Sequence, residues 1–368
     1  MSRRRLGPAA ALPDFPWDRL APAADLARAH LDGIVDLSVG APVDPTPAVV
    51  ERALAAASQA PGYPLTRGAP AVREAAATYL HTRWGADVDP DDVLPVVGTK
   101  ELVAWLPTLL GLGEGDSVAF PQLAYPTYEV GALLAGATAV AAGSLTAIGP
   151  RRVGLAWLNS PANPDGRVLP VEHLAKVVAW ARERGTVVAS DECYLEFGWD
   201  AEPVSILHPD VCGGSHDGLL AVHSLSKRSN MAGYRAGFIA GDPALVAELH
   251  EVRRHAGMVV SAPVQAAMVA ALGDHAHVVE QRGRYRARRE MLRVALTEAG
   301  FTIEHSEGSL YLWATRDEPG IDSVGWLAER GVLVAPGEFY GPAGARHIRV
   351  SLTATDERVE AGCARLTA

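Results

Sequence analysis

The sequence predicts an α/β protein in two parts: a large part built on a mostly parallel sheet, and a smaller α+β part joined to it by a long helix. Three observations carry this. Short apolar runs recur at Val93–Val97, Val118–Phe120, Val153–Leu158, Thr186–Ala189, Leu219–Val222 and Ala236–Ala240, and several lack any alternation. Continuous runs of that kind mark strands buried on both faces of a parallel sheet. Helix-like stretches lie between them, as at Val171–Arg184, where Leu174, Val177, Val178 and Ala181 recur along one helix face. From about His275 the texture changes to a charged helical stretch, 277–299, followed by short strands at Leu310–Ala314, Val332–Val334 and His347–Leu352.

The remaining elements follow in chain order. Arg3-Arg4-Arg5 resembles an export signal, but the apolar stretch from Ala9 to Leu12 is cut off by Pro13 and Asp14. It is too short for a signal core and predicts a solvated tail. Leu12–Pro22, rich in proline and aromatics, predicts an extended arm in which Phe15 and Trp17 would form an apolar lid. The longest apolar run, Val130–Ala142, falls short of the ~18 residues a spanning helix needs. The arginines between 282 and 289 predict a solvated helix face.

Composition narrows the function. The 368 residues are 48% hydrophobic and 21% charged, enough for a sizeable core. With 33 basic and 43 acidic residues the net charge is −10, which argues against general nucleic-acid binding. Cys193, Cys212 and Cys363 are far apart and form no CxxC pair, so neither a disulfide framework nor a zinc ribbon is expected. The histidines include no HExxH, and no metal site is expected. A soluble, cytoplasmic protein without membrane association is the expectation.

In an open parallel sheet, ligands bind beyond the carboxyl ends of the strands. Five run ends here deliver Gly98-Thr99-Lys100, Pro121 with Tyr125, Asn159 to Pro164, Asp191-Glu192-Cys193-Tyr194, and Ser224-Leu225-Ser226-Lys227. A lysine beside small hydroxyl residues can form an imine, and Arg235 can bind an anion. Asp191 can hold a ring nitrogen protonated, and Gly98-Thr99 opening a helix offers N–H groups to a phosphate. Together these chemistries point to pyridoxal phosphate.

The chain resembles the fold-type I, class I/II aminotransferases over nearly its whole length. The motifs are Leu37-Ser38-Val39-Gly40-Ala41-Pro42, Gly62-Tyr63, Ala124-Tyr125-Pro126-Thr127-Tyr128, Asn159 to Gly166, Asp191-Glu192-Cys193-Tyr194, Ser224-Leu225-Ser226-Lys227 with Arg235, and Arg349-Val350-Ser351-Leu352. Each is weak alone; their order and spacing are specific. The resemblance implies a seven-stranded-type cofactor-binding large domain at 41–280. It implies a small domain at 281–368, with 1–40 supplying an arm and part of that small domain.

It also implies roles. Lys227 would bind pyridoxal 5'-phosphate as an imine and move the substrate proton. Asp191 would pair with the ring nitrogen, Tyr194 and Asn163 would bond the phenolic oxygen, and Tyr125 would stack on the ring. Gly98, Thr99, Lys100, Ser224, Ser226 and Arg235 would line the phosphate side. Tyr63 would reach the phosphate from the partner of a homodimer. Arg349, with the Gly40 backbone and Asn163, would grip the α-carboxylate of amino-acid and 2-oxo-acid substrates. Tyr128 and Asn159 are expected to be structural, and Cys193 a small buried filler. Asp165 stands where the family usually has threonine, in a turn position.

A narrower resemblance is to the succinyldiaminopimelate aminotransferases, carried by Gly98 to Pro107, Ala124–Glu129 and His223 to Asn230. It implies exchange of an amino group between glutamate and N-succinyl-2-amino-6-oxopimelate in lysine biosynthesis. An aminotransferase for another amino acid, or a lyase of the same fold, stands as the alternative. A second carboxylate on the substrate calls for a second cation, with Lys100 first and Arg67, Arg228 and Arg19 behind it.

Overall fold

The computed structural model describes residues 10–367, and the Arg3–Arg5 tail lies outside them. A seven-stranded sheet forms its centre. The strands are β1 (Val93–Val97), β2 (Ser117–Pro121), β3 (Thr138–Ala142), β4 (Leu155–Asn159), β5 (Val187–Asp191), β6 (Leu219–Ser224) and β7 (Ala236–Gly241). Their order is β1-β7-β6-β5-β4-β2-β3. From β6 to β3 every pairing is parallel, whereas β7 runs antiparallel to both β1 and β6.

Burial explains the unbroken runs. Every residue of β6 and β7 is buried, so neither face of these strands needs a polar residue. Edge strand β3 was not legible as a strand, because Val130–Ala142 reads as one apolar run. Gly136 divides it: its left-handed backbone, φ 75°, ends the helix Thr127–Ala135 and lets β3 begin two residues later. The helix predicted over Val171–Arg184 is present with those bounds and buries the four residues named for it.

The C-terminal part holds a four-stranded antiparallel sheet, in the order Ala335–Pro336, Ile348–Ser351, Tyr311–Thr315, Thr302–Glu304. Val35–Asp36 pairs in parallel with Val332–Leu333, which ties the N-terminal segment to this part. The long helix Ala276–Glu298 packs beside the C-terminal helix Asp356–Thr367.

Two expectations are corrected. The arm is not extended throughout: Pro16–Leu20 forms a 3₁₀ turn and Ala21–Arg28 an α-helix. Pro16 and Pro22 fall in first turns, where a missing N–H breaks no helical bond. The arginines of 282–289 are not a uniformly solvated face either. Arg288 and Arg289 are 1% and 6% exposed. Arg288 forks onto Asp44 at 2.7 and 2.8 Å and reaches Asp356 at 2.6 Å; Arg289 binds the Ser306 carbonyl at 3.0 Å and pairs with Asp200. Partners distant in sequence draw these charges inward, where pairing and hydrogen bonding make burial tolerable.

Candidate active site

Strand register assembles the site. Asn159 at the end of β4 stands opposite Asp191 at the end of β5, and Asp191 opposite Val222. Ser224 ends β6 opposite Gly237, and Val97 ends β1 opposite Ala236. Because β7 runs backwards, its first residues lie at the rim where its neighbours end. The reversal therefore brings Arg235 to the same rim as Ser224 and Gly98; in a parallel strand it would lie at the far edge.

The rim around Gly98 and Arg235 is tightly drawn. Gly98 caps the helix Thr99–Leu109 with φ 74° and ψ 149°, a conformation essentially reserved for glycine. A Cβ there would lie 2.2 Å from a terminal nitrogen of Arg235, so only glycine lets the guanidinium approach the helix start. That start carries unpaired N–H groups and the positive end of the helix dipole. The Ser224 hydroxyl accepts from the Ser226 N–H at 3.1 Å, opening the short helix Leu225–Arg228 that holds Lys227. The Thr99 hydroxyl accepts from the Cys193 thiol at 3.3 Å.

Asp191 is 7% exposed and takes hydrogen bonds from the Tyr128 hydroxyl at 2.9 Å and the Cys193 N–H at 3.2 Å. No arginine or lysine pairs with it among the described residues. Burial pushes its carboxyl up, against the opposing bonds from Cys193 and Tyr128. A buried carboxylate without a cation is costly, and a protonated ring nitrogen would supply one. Tyr128 is stacked on Trp157 at 5.0 Å and wholly buried. Tyr125 meets Tyr128 edge-on at 6.0 Å, and burial pushes its hydroxyl up to about 12. Asn159 is a brace: it accepts from the Asn163 N–H at 2.7 Å and donates to the Asp191 carbonyl at 2.9 Å.

The Lys227 ammonium donates to the Gly40 carbonyl. Burial holds this amine below the ordinary lysine range, and the charges of Arg349 and Arg235 push the same way. Imine formation requires the neutral amine, and this environment shifts the balance towards it. Arg349, 2% exposed, donates to Asn163 Oδ1 at 2.8 Å and to the Ser38 carbonyl at 2.7 Å. Its buried Nε has no partner, leaving donor capacity for a carboxylate. A bound pyridoxal phosphate thus fits the groups present: a lysine whose burial disfavours its ammonium form, a buried carboxyl group with no arginine or lysine partner, a helix start opened by glycine beside Arg235, and a guanidinium with an unpartnered Nε.

Some residues stand differently from their expected parts. Cys193 is partly buried and packs against the core that holds Tyr194 and Tyr311, as a filler would, but its thiol also reaches Thr99. Arg228 is removed as a reader of a distal carboxylate, being 4% exposed and bonded to the Ala271 carbonyl at 2.9 Å beside Glu196. Arg19 pairs with Glu338, and Arg67 binds the Asp91 carbonyl at 2.8 Å. Lys100 is exposed, its ammonium 5.6 Å from the Phe15 ring centroid. Tyr63 is fully exposed. Asp165 is buried in its turn, accepting from the Arg167 N–H at 3.2 Å. Sequence reasoning missed Tyr311 and Tyr340, whose rings lie 3.9 and 4.8 Å from the Arg349 guanidinium carbon. The alternation around Arg349 and Tyr311 was the available signal, since paired antiparallel strands bring such residues onto one face.

The sheet, the rim and the part-buried Lys227 suit a protein that holds pyridoxal phosphate, and comparison with known proteins gives its class. The sequence profile of aminotransferase class I and II matches residues 32–366, and the chain belongs to that family. It is 63% identical over 364 residues to the probable aminotransferase Rv1178 of Mycobacterium tuberculosis, covering 99% of this chain and 87% of that protein. It is 62% identical to the 4-dedimethylamino-4-oxo-anhydrotetracycline transaminase OxyQ of Streptomyces rimosus, covering 97% and 99%. An LL-diaminopimelate aminotransferase of Dehalococcoides mccartyi is 32% identical, with 96% of each covered. Among solved structures, an aspartate aminotransferase double mutant from Thermus thermophilus superposes with a TM-score of 0.87 at 27% identity, covering 100% of this chain and 98% of that one. The fold is fold-type I, the cofactor of the family is pyridoxal 5'-phosphate, and its substrates are amino acids and 2-oxo acids. No helix of the described residues is long and apolar enough to cross a membrane.

Proposed function

We propose that this aminotransferase exchanges an amino group between glutamate/2-oxoglutarate and N-succinyl-LL-2,6-diaminopimelate/N-succinyl-2-amino-6-oxopimelate. One observation carries the reading. From the carboxylate clamp at Arg349 a line of aromatic contacts, Tyr340 to Trp17 to Phe15, leads to the exposed cation Lys100. A substrate with an α-carboxylate, an extended chain and a second carboxylate matches a clamp, an apolar path and a cation in that order. The 32% identical LL-diaminopimelate aminotransferase supports a substrate of this length.

The chain's residues then divide the work. Arg349, with Asn163 and the Gly40 backbone, orients the substrate by its α-carboxylate. When bound, the cofactor supplies an electron sink conjugated to the substrate Cα. Asp191 would hold the ring nitrogen protonated, Tyr194 would donate to the phenolic oxygen, and Gly98, Thr99, Ser224 and Arg235 would anchor the phosphate. Lys227 Nζ would take the proton from the substrate Cα and act as its carrier during the exchange. Tyr63 completes the phosphate cradle of a homodimer from across the interface, which accounts for a wholly exposed aromatic on an exposed loop.

The test is the visible spectrum of the holoenzyme as glutamate, then N-succinyl-diaminopimelate, then other donors are added. Loss of the band with both glutamate and the succinylated amine is expected. A band that ignores the succinylated amine refutes this substrate. Response to a tetracycline-type amine instead would favour the reading suggested by the 62% identical transaminase. Ammonia release would make the protein a lyase. Within the proposal, Lys100→Ala should raise the KM of the succinylated substrate about three- to thirty-fold with little change for alanine, the value of one partly exposed charge-assisted contact.

A further inference from the structure

Tyr311 sits in the strand Tyr311–Thr315, only 3% exposed, yet its side chain ends in a polar group. Three contacts converge on it. Its hydroxyl shares a 2.8 Å hydrogen bond with the Tyr194 hydroxyl, the two rings meeting at 5.6 Å and 72°. Its ring faces the Arg349 guanidinium at 3.9 Å. The hydroxyl also fills the space beside Gly40, where an added Cβ would lie 2.1 Å from it. Gly40 is the residue whose carbonyl receives Lys227. One side chain therefore touches the carboxylate clamp, the tyrosine of the cofactor's phenolic edge, and the backbone beneath the lysine.

We propose that Tyr311 is a positioning residue with two separable parts: its ring fixes Arg349 for the substrate carboxylate, and its hydroxyl orients and polarises that of Tyr194. The inference rests on the assignment of Tyr194 and Lys227 to the cofactor. A tyrosine hydroxyl donates one hydrogen and accepts others. With Tyr194 donating to the phenolic oxygen, its lone pair accepts from Tyr311, and the chained bond makes Tyr194 the stronger donor. Donation to the phenolic oxygen favours its anionic form, and hence the deprotonated form of the lysine-bound chromophore. The ring acts separately. A guanidinium held against two aromatic faces is confined to one plane, with its unpartnered Nε edge left for a carboxylate.

Tyr311→Phe and Tyr311→Leu distinguish the parts, with Tyr194→Phe as the reference, all as holoenzymes. The readouts are the pH titration of the visible band and the split between kcat and KM for glutamate. Tyr311→Phe should move the titration midpoint up by roughly half a unit to one unit, as for one buried hydrogen bond, with glutamate KM within about twofold. Tyr311→Leu should show that shift and also raise glutamate KM about three- to thirty-fold. Tyr311→Met replaces it if folding, followed by circular dichroism, suffers. If Tyr194→Phe moves the midpoint and Tyr311→Phe does not, the hydroxyl's part is overturned. An unchanged KM in the ring-deleted variant overturns the ring's part. If Tyr194→Phe itself leaves the midpoint in place, the underlying cofactor assignment fails instead.

Discussion

Replacing Gly98 with alanine should weaken cofactor binding far more than it weakens the fold, and Arg235 should be the reason. Two costs arise at this position. The backbone at φ 74°, ψ 149° would carry a side chain in a region worth roughly 1–3 kcal/mol of strain. The new Cβ would also lie 2.2 Å from an Arg235 terminal nitrogen and 2.6 Å from the guanidinium carbon. Arg235 is exposed and at the end of a flexible chain, so it swings aside at little cost to stability. It would then no longer face a phosphate bound at the Gly98 helix start. Losing one or two charge-assisted bonds of about 1.5–3 kcal/mol each predicts a loss of cofactor affinity of at least tenfold, and roughly a hundredfold if one strong bond is lost outright. Titration of apoenzyme with pyridoxal 5'-phosphate, followed by absorbance, gives the affinity; the thermal midpoint should fall by only a few degrees. The decisive comparison places Gly98→Ala in an Arg235→Ala background. There the steric conflict is gone, and the second substitution should add only the backbone cost. If Gly98→Ala weakened binding equally with and without Arg235, the cradle reasoning would be wrong.

Other outcomes follow from the same geometry. Arg288→Met leaves the almost wholly covered Asp44 carboxylate without its fork and should cost about 3–5 kcal/mol in denaturant unfolding. Burial pushes the Asp44 carboxyl up, but the hydrogen bonds of Arg288 and Gln281 and the arginine's charge hold it, on balance, low. Stability from this group is therefore present above about pH 4 and lost as pH falls through its lowered value, so acidification should narrow the gap between wild type and Arg288→Met. Capture of pyridoxal 5'-phosphate by the apoenzyme should rise with pH to a midpoint below the ordinary lysine value near 10.4, because burial disfavours the Lys227 ammonium. A midpoint at that ordinary value would contradict the burial argument. Tyr63→Ala and Lys227→Ala, each impaired alone at limiting cofactor, should recover activity when subunits are mixed, since one hybrid site then has both native residues. No recovery on mixing would place Tyr63 in its own subunit's site or outside any site.

Much of this protein was legible before any coordinates. Continuous apolar runs gave the strands because strands buried on both faces need no polar residue, and the polar turns after them gave the rim. Lys227, Asp191, Gly98 and Arg349 could be named as candidates because each sits in a short motif whose chemistry is local. The helix at Val171–Arg184 needed only its own periodicity. Tertiary structure decided what depends on pairing between distant segments. The reversed direction of β7, which brings Arg235 to the rim beside Gly98 and Ser224, is a matter of topology and leaves no mark in the run Ala236–Ala240. Arg288 and Arg289 are buried because Asp44, Asp356, Asp200 and the Ser306 carbonyl meet them there, and a helix read alone cannot reveal its partners. Tyr311 looked like an ordinary strand aromatic until strand pairing set it against Arg349 and Tyr194. Local spacing fixes which chemical groups the chain owns; which of them meet is fixed only when long-range packing closes the loops between them.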